Sequence, residues 1–134
     1  MQVSGSVSDR SRDDGNSRGD MLLALSNAIV RLYKEHYGKG PTRARAYYTG
    51  DVITCVLRDC FTRAEHTLIA SGHDDAVVEG RYRLQTALRR KFVEAVEEIT
   101  GRRVIGFMSG TQLDPDMSAE VFVLEPESPG SGES

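Results

Sequence analysis

The chain has 134 residues, of which 39% are hydrophobic and 28% charged, and its formal net charge is -3. This length fits one domain that can bury a core without disulfides or metals. Nearly balanced charge argues against a dedicated nucleic-acid binder, which usually carries a basic surplus. No apolar run of about 18 residues is present that could span a bilayer. We therefore predict no nucleic-acid partner and no membrane insertion. Residues 1–20 hold no apolar stretch that could serve as a signal-peptide core, so we also predict a cytoplasmic location.

Both ends of the chain are poor in large apolar residues. Residues 1–19 are rich in Ser, Gly, Asp and Arg, and residues 126–134 consist of Pro, Ser, Gly and Glu. Such segments cannot offset the entropy lost on ordering. The composition therefore predicts two disordered tails around a single folded domain, residues 20–125.

The first predicted helix begins at Asp20, a good N-cap residue. Its apolar positions recur at spacings of three and four and form one stripe: Leu22, Leu25, Ile29, Leu32 and His36. Gly38 is predicted to end this helix, and Pro41 prevents its resumption.

Local patterns predict the remaining elements. Two strands, residues 43–48 and 51–58, are joined by a tight turn at Thr49 and Gly50. Thr62 and Glu65 form a capping box that begins a helix over residues 63–71. A longer helix over residues 75–100 ends at Gly101, and strands over residues 103–109 and 117–124 follow.

The order α-β-β-α-α-β-β is typical of an α+β domain, with two β-hairpins in one antiparallel four-stranded sheet and three helices packed on it. On the last strand, Met117, Ala119, Val121 and Val123 share one face, whereas Ser118, Glu120, Phe122 and Leu124 share the other. Both faces are substantially apolar. Either the helices divide between the two faces, or the second face packs on another subunit. We favour the second arrangement and predict a homodimer.

The turn of residues 38–41 is the one candidate binding site. Lys39, Gly40, Arg43 and Arg45 could hold a phosphate or carboxylate between backbone amides and cations. The turn lacks the Walker pattern and follows a helix rather than preceding one. The competing interpretation is a glycine helix stop followed by a strand with solvated arginines.

Other polar groups favour structural roles. Cys55 lies in a predicted strand, five positions before Cys60, so we expect their Cα atoms to be too far apart for a disulfide. They form no Cys-x-x-Cys pair, and the three histidines show no metal-ligand spacing, so we predict no metal or cofactor. The turn at Asp114 and Asp116 favours capping over a catalytic carboxylate pair. No catalytic residues are predicted, and enzymatic activity is not favoured. The basic residues of the long helix are interpreted as a solvated face: Arg81, Arg83, Arg89, Arg90 and Lys91.

Several of these patterns together resemble one known family. They are residues 27–31, residues 38–41 with Arg43 and Arg45, residues 62–65, residues 92–104, residues 114–116 and residues 120–124. The combination is similar to the bacterial MpsC-type family, long described as a domain of unknown function. The resemblance covers the whole predicted domain but brings no catalytic assignment.

The resemblance implies a small cytosolic protein associated with a membrane potential-generating system, or with cation or inorganic-carbon transport, built from separate membrane subunits. Accordingly, the first hypothesis is a soluble accessory or regulatory protein that binds itself and a membrane transport subunit. The alternative is a small sensor of an anion or nucleotide-like ligand, using residues 38–41 and the nearby arginines. Fold-level analogy does not decide between them.

Overall fold

The computed structural model describes residues 12–127, with side chains from Ser17 onward. In chain order its elements are α1 (Arg12–Tyr37), β1 (Arg43–Thr49), β2 (Val52–Arg58), α2 (Arg63–Ala70), α3 (Asp74–Thr100), β3 (Val104–Gln112) and β4 (Met117–Leu124). The predicted order of elements and the α+β class are confirmed.

The helix start predicted at Asp20 is wrong, because α1 begins at Arg12. A tertiary contact accounts for the difference. The guanidinium carbon of Arg18 lies 5.1 Å from the centre of the Tyr48 ring, and Arg18 also donates a hydrogen bond to the Tyr48 carbonyl oxygen. Of the predicted tails, residues 12–19 thus belong to α1. Residues 1–11 and 128–134 lie outside the described part of the chain.

The buried line of α1 differs from the predicted stripe in its second half. It consists of positions at spacings of three and four: Leu22, Leu25, Ile29, Tyr33 and Tyr37. Leu32 and His36 lie at the margin of this line and are only partly buried. Gly38 has φ +83°, so the predicted left-handed helix stop is confirmed.

Two hairpins form the sheet. Gly50, at φ +60°, and Asp51 make the two-residue turn between β1 and β2, one position later than predicted. β3 extends to Gln112, beyond the predicted end at Ser109, because its last residues pair with the start of β4. The strand order is β1-β2-β4-β3, and every neighbouring pair is antiparallel.

The predicted helix boundaries around α2 and α3 depend on local hydrogen bonds. Thr62 Oγ1 accepts from the backbone N–H of Glu65 at 3.1 Å, and Glu65 Oε1 accepts from the N–H of Thr62 at 2.9 Å. This reciprocal pair confirms the capping box at the start of α2. Gly101 ends α3 with φ +71°, which confirms the second predicted stop.

The helices do not divide between the two faces of the sheet. α1 packs against α3 and β1, and α3 packs against β3. The buried strand residues alternate and share the helix-covered face: Ala44, Ala46, Ile53, Cys55, Leu57, Phe107, Phe122 and Leu124. The Phe107 ring stacks on the Phe92 ring of α3, with 5.7 Å between the ring centres, and its centre lies 5.1 Å from that of Phe122. These three rings fill the core between the sheet and α3.

The opposite face of the sheet, here called the open face, is not covered by any described element. On β3 and β4 it carries an apolar patch: Ile105, Met108, Ala119, Val121 and Val123. Met108 is 56% exposed, and Ile105, at a β-bulge, is 54% exposed. Both faces are therefore apolar, as predicted, whereas the homodimer stays a prediction.

Candidate functional site

The turn of residues 38–41 is attached to the end of β2. Lys39 Nζ donates to the carbonyl oxygen of Gly40 at 3.1 Å and to the carbonyl oxygen of Asp59. A Cβ atom on residue 40 would lie 2.6 Å from Lys34 Cγ, so glycine leaves room for the Lys34 side chain. Lys39 and Gly40 thus have contacts inside the fold, and their role in ligand binding stays a prediction.

Arg43 and Arg45 lie on the open face, where Arg58 joins them. Arg43 is the direct cross-strand neighbour of Arg58, and Arg45 pairs with Val56. Together with Tyr47, these four residues line a depression of about 160 Å³. We call the three basic residues the arginine corner. Arg58 is not among the site residues predicted from the sequence. Its position could be found by pairing residues of β1 and β2 outward from the turn, which places Arg58 opposite Arg43.

Arg81 is the largest buried side chain on α3, with 1% of its surface exposed, so its predicted place on a solvated face is wrong. Its Nε and Nη2 atoms donate to the two carboxylate oxygens of Glu65 at 2.7 and 2.6 Å. Nη2 also donates to the Cys60 carbonyl oxygen at 2.9 Å. The guanidinium carbon lies 4.5 Å from the centre of the Tyr37 ring and 5.3 Å from that of Phe61. Arg81 therefore joins α1, α2 and α3 to the loop after β2.

The Glu65 carboxylate has two functions in this arrangement, since it also caps α2. Burial acts to raise its pKa, but hydrogen bonds from Arg81 and the Thr62 backbone outweigh burial and hold the pKa below its ordinary value. A periodic signal for Arg81 was present in the sequence. The buried positions of α3 recur at spacings of three and four through the arginine: Val77, Arg81, Gln85, Leu88, Phe92 and Val96.

Glu120 is fully buried on β4 and faces the helices. The Tyr33 hydroxyl donates to Glu120 Oε2 at 2.5 Å, while Oε1 has no hydrogen-bond partner among the described residues. Burial raises the pKa of Glu120 to about 7, although the hydrogen bond from Tyr33 and the charge of Arg81 act to lower it. Burial and the charge of Glu120 raise the pKa of Tyr33 well above its ordinary value. Because Tyr33 and Glu120 are both buried, we expect them to influence the stability of the fold rather than to contact a ligand from solvent.

The cysteines do not present a reactive thiolate. Cys55 and Cys60 are buried free thiols, and burial raises the pKa of each to about 12.

Among the described residues, the histidines and carboxylates do not form a metal site. His66 Nε2, on α2, lies 4.0 Å from the Asp116 carboxylate. Within residues 17–127, no group of three His, Cys, Asp or Glu side chains is placed to hold a metal ion.

Comparison with protein families decides the assignment. A family model described as "Na+-translocating membrane potential-generating system (MpsC)" matches residues 17–126. The chain belongs to the MpsC family. The match extends from α1 through β4, so the resemblance inferred from the sequence motifs is confirmed. Searches of curated proteins and of solved structures gave no match.

The family description associates its members with a Na+-translocating membrane system. α1 has 26 residues and α3 has 27. In the part of the chain that the structure describes, no helix combines the length and the apolar character needed to cross a membrane.

Proposed function

We propose that the chain is an accessory or regulatory subunit of a Na+-translocating membrane potential-generating system and acts in the cytoplasm as a homodimer that binds a membrane subunit. The MpsC assignment supports the association with such a system. The open face carries the proposal, because an apolar sheet face left to water is typical of a surface that binds another polypeptide. Met108 and Ile105 expose more than half of their surface there.

A second copy of the chain suits the apolar patch. The patch is uncharged and lies on β3 and β4, so two copies can stack these strands at the spacing of about 10 Å that is usual for packed sheets. A twofold axis running between β3 and β4 brings the same surface of both copies together. This arrangement leaves β1 and β2, with their arginines, outside the contact and avoids like-charge repulsion.

Light scattering tests the dimer. We expect the wild-type chain to be dimeric, and Ile105→Asp and Met108→Asp to be monomeric because each places a carboxylate in the apolar patch. Tyr82→Asp is the control, since Tyr82 is 65% exposed on α3, away from the open face. Thermal unfolding establishes that each variant is folded. A wild-type monomer at high protein concentration would refute the dimer.

The link to the membrane system is tested in cells. A strain lacking the gene should lose Na+-dependent membrane potential, and the wild-type chain or Tyr82→Asp should restore it. Met108→Asp should fail to restore it if the open face is required. A deletion strain with unchanged Na+-dependent potential would exclude the proposed role even if the chain is dimeric.

The second candidate function is an anion-binding sensor, favoured by the arginine side chains of the open face. Lys39 contributes less to this candidate than its sequence position indicates, because its amine already contacts two backbone carbonyl oxygens. Arg43 and Arg45, together with Arg58, are the cations that line a concave surface. The sensor and the dimer use different parts of the sheet, so neither requires the other.

A further inference from the structure

We infer that the arginine corner binds the phosphate group of an anionic ligand, with the guanidinium groups of Arg43 and Arg58 as its donors and Arg45 beside them. This inference deepens the sensor function proposed above and rests on it, and it replaces the turn at Lys39 with the open face of β1 and β2 as the binding surface. Tyr47 and Val56 complete the walls of the depression.

The pairing of the strands brings like charges together. Arg43 and Arg58 are direct neighbours across the β1–β2 hairpin, and Arg45 stands two positions along β1 on the same face. Like charges directly opposite each other destabilise a sheet. An anion between them removes this repulsion, and the planar guanidinium group can donate two parallel hydrogen bonds to phosphate.

The protein does not supply the counter-charge itself at Arg43 or Arg58. Within residues 17–127, neither arginine forms an ion pair with a carboxylate. Two acidic residues beside the end of β2 have other partners. Asp59 accepts a hydrogen bond from the Thr42 hydroxyl, and Asp116 accepts from two backbone N–H groups at 2.9 Å each.

The size and charge of the corner favour a phosphate group over a larger or less charged one. The adjacent guanidinium charges of Arg43 and Arg58 suit a doubly charged phosphate better than a single carboxylate. The depression of about 160 Å³ is smaller than the roughly 300 Å³ at which pockets begin to enclose a whole drug-sized molecule. The rest of a phosphate-bearing ligand would therefore extend over Tyr47 or into solvent. Both a soluble phosphoester and a lipid headgroup present this chemistry.

Calorimetric titration with inorganic phosphate, at an ionic strength matched with chloride, tests the site. We expect the wild-type chain to bind phosphate, and Arg43→Gln or Arg58→Gln to weaken binding by about tenfold to a hundredfold, the usual loss for one charge-assisted contact. Arg43→Lys keeps the charge but loses the paired donors, so its affinity should fall between those of the wild type and Arg43→Gln.

A matched control separates a built site from general attraction. The triple variant Arg43→Gln, Arg45→Gln, Arg58→Gln removes the same charge as Arg31→Gln, Arg63→Gln, Arg103→Gln, whose arginines are exposed and scattered. Only the first triple variant should lose phosphate binding. Equal losses in both triple variants, or unchanged binding in the first, would overturn the site while leaving the sensor function open. A wild-type chain that binds neither phosphate nor lipid phosphate would overturn the phosphate site, and one that also fails to bind a carboxylate anion such as citrate would overturn the sensor function.

Vesicle sedimentation distinguishes the two sources of phosphate. Vesicles of phosphatidylcholine with phosphatidylglycerol are compared with phosphatidylcholine alone, using the same two triple variants. Retention of the wild type and the scattered variant on phosphatidylglycerol vesicles, with loss of the corner variant, supports the site and identifies a lipid headgroup. Phosphate binding without vesicle binding also supports the site and identifies a soluble phosphoester.

Discussion

The hydroxyl group of Tyr33 on α1 donates to the Glu120 carboxylate on β4 at 2.5 Å, and neither side chain is exposed. Burial raises the pKa of Glu120 from 4.5 to about 7. The folded chain consequently keeps a proton that the unfolded chain releases between these two values. The contribution of Glu120 to stability is greatest below the unfolded pKa and decreases as the pH rises to the folded pKa.

Replacing Glu120 by Gln should remove this pH dependence, because the amide does not ionise and can still accept from Tyr33. Above pH 7 the free energy of unfolding of Glu120→Gln should exceed that of the wild type by up to about 3 kcal/mol, at 1.36 kcal/mol per unit of pKa difference. Urea unfolding at pH values of about 4.5, 6 and 8 measures the effect. Exposed Glu125→Gln should keep the wild-type slope, and parallel curves for Glu120→Gln and the wild type would contradict the prediction.

Two arginines of α3 form ion pairs of equal length in different surroundings. Arg81 contacts Glu65 at 2.6 Å and is 1% exposed, whereas Arg83 contacts Glu79 at 2.6 Å and is 76% exposed. Arg81→Gln should lower the free energy of unfolding by about 3–5 kcal/mol, since it leaves the largely buried carboxylate of Glu65 without its cation. Arg83→Gln should change it by less than about 0.5 kcal/mol. Denaturant unfolding of both variants measures the two changes in the free energy of unfolding. Similar changes would refute the claim that burial makes the Arg81 ion pair more important for stability than the Arg83 ion pair.

The Asp116 carboxylate holds the loop after β2 by accepting from the backbone N–H groups of Cys60 and Phe61 at 2.9 Å each. Asp116 thus caps a neighbouring loop, whereas the sequence predicts that it caps its own turn. Asp116→Ala should lower the free energy of unfolding by about 2–4 kcal/mol. Asp114→Ala, at an exposed position of the same turn, should cost less than about 0.5 kcal/mol in a parallel thermal unfolding experiment.

Two glycines should respond in opposite directions to replacement by alanine. Gly80 lies inside α3, and a Cβ atom there meets nothing within 4 Å, so Gly80→Ala should stabilise the chain by about 0.5–1 kcal/mol. Gly101 has φ +71°, a conformation that strains other residues, so Gly101→Ala should destabilise it by about 1 kcal/mol. Melting temperatures that shift in the same direction would contradict the assigned helix interior or its end.

The features predicted from the sequence are those set by neighbouring residues. The capping box needs only Thr62 and Glu65, and the helix stop needs only Gly101, so both are evident without the tertiary structure. The true start of α1 was not predictable in this way. It depends on the contact of Arg18 with Tyr48, thirty positions along the chain.

The candidate site was predictable in part for the same reason. The position of Arg43 and Arg45 near the turn predicts their part in the site, whereas a place for Arg58 follows only from the register of the hairpin. Charge was a poor guide to burial for Arg81, because its partner Glu65 and the rings around it come from other elements. The sequence predicts Lys39 as a ligand-binding residue, but it does not show that the amine of Lys39 contacts two backbone carbonyl oxygens.

The strand order β1-β2-β4-β3 also bears on how the chain folds. Each outer pair is a hairpin of sequence neighbours, which can form within a short segment. The central pair is different, since Arg58 of β2 meets Met117 of β4 only after residues 59–116 have closed into a loop. Closing a long loop is entropically unfavourable and slows folding. We expect the two hairpins to form early and to join late along this central seam, after α2 and α3 have brought their ends together.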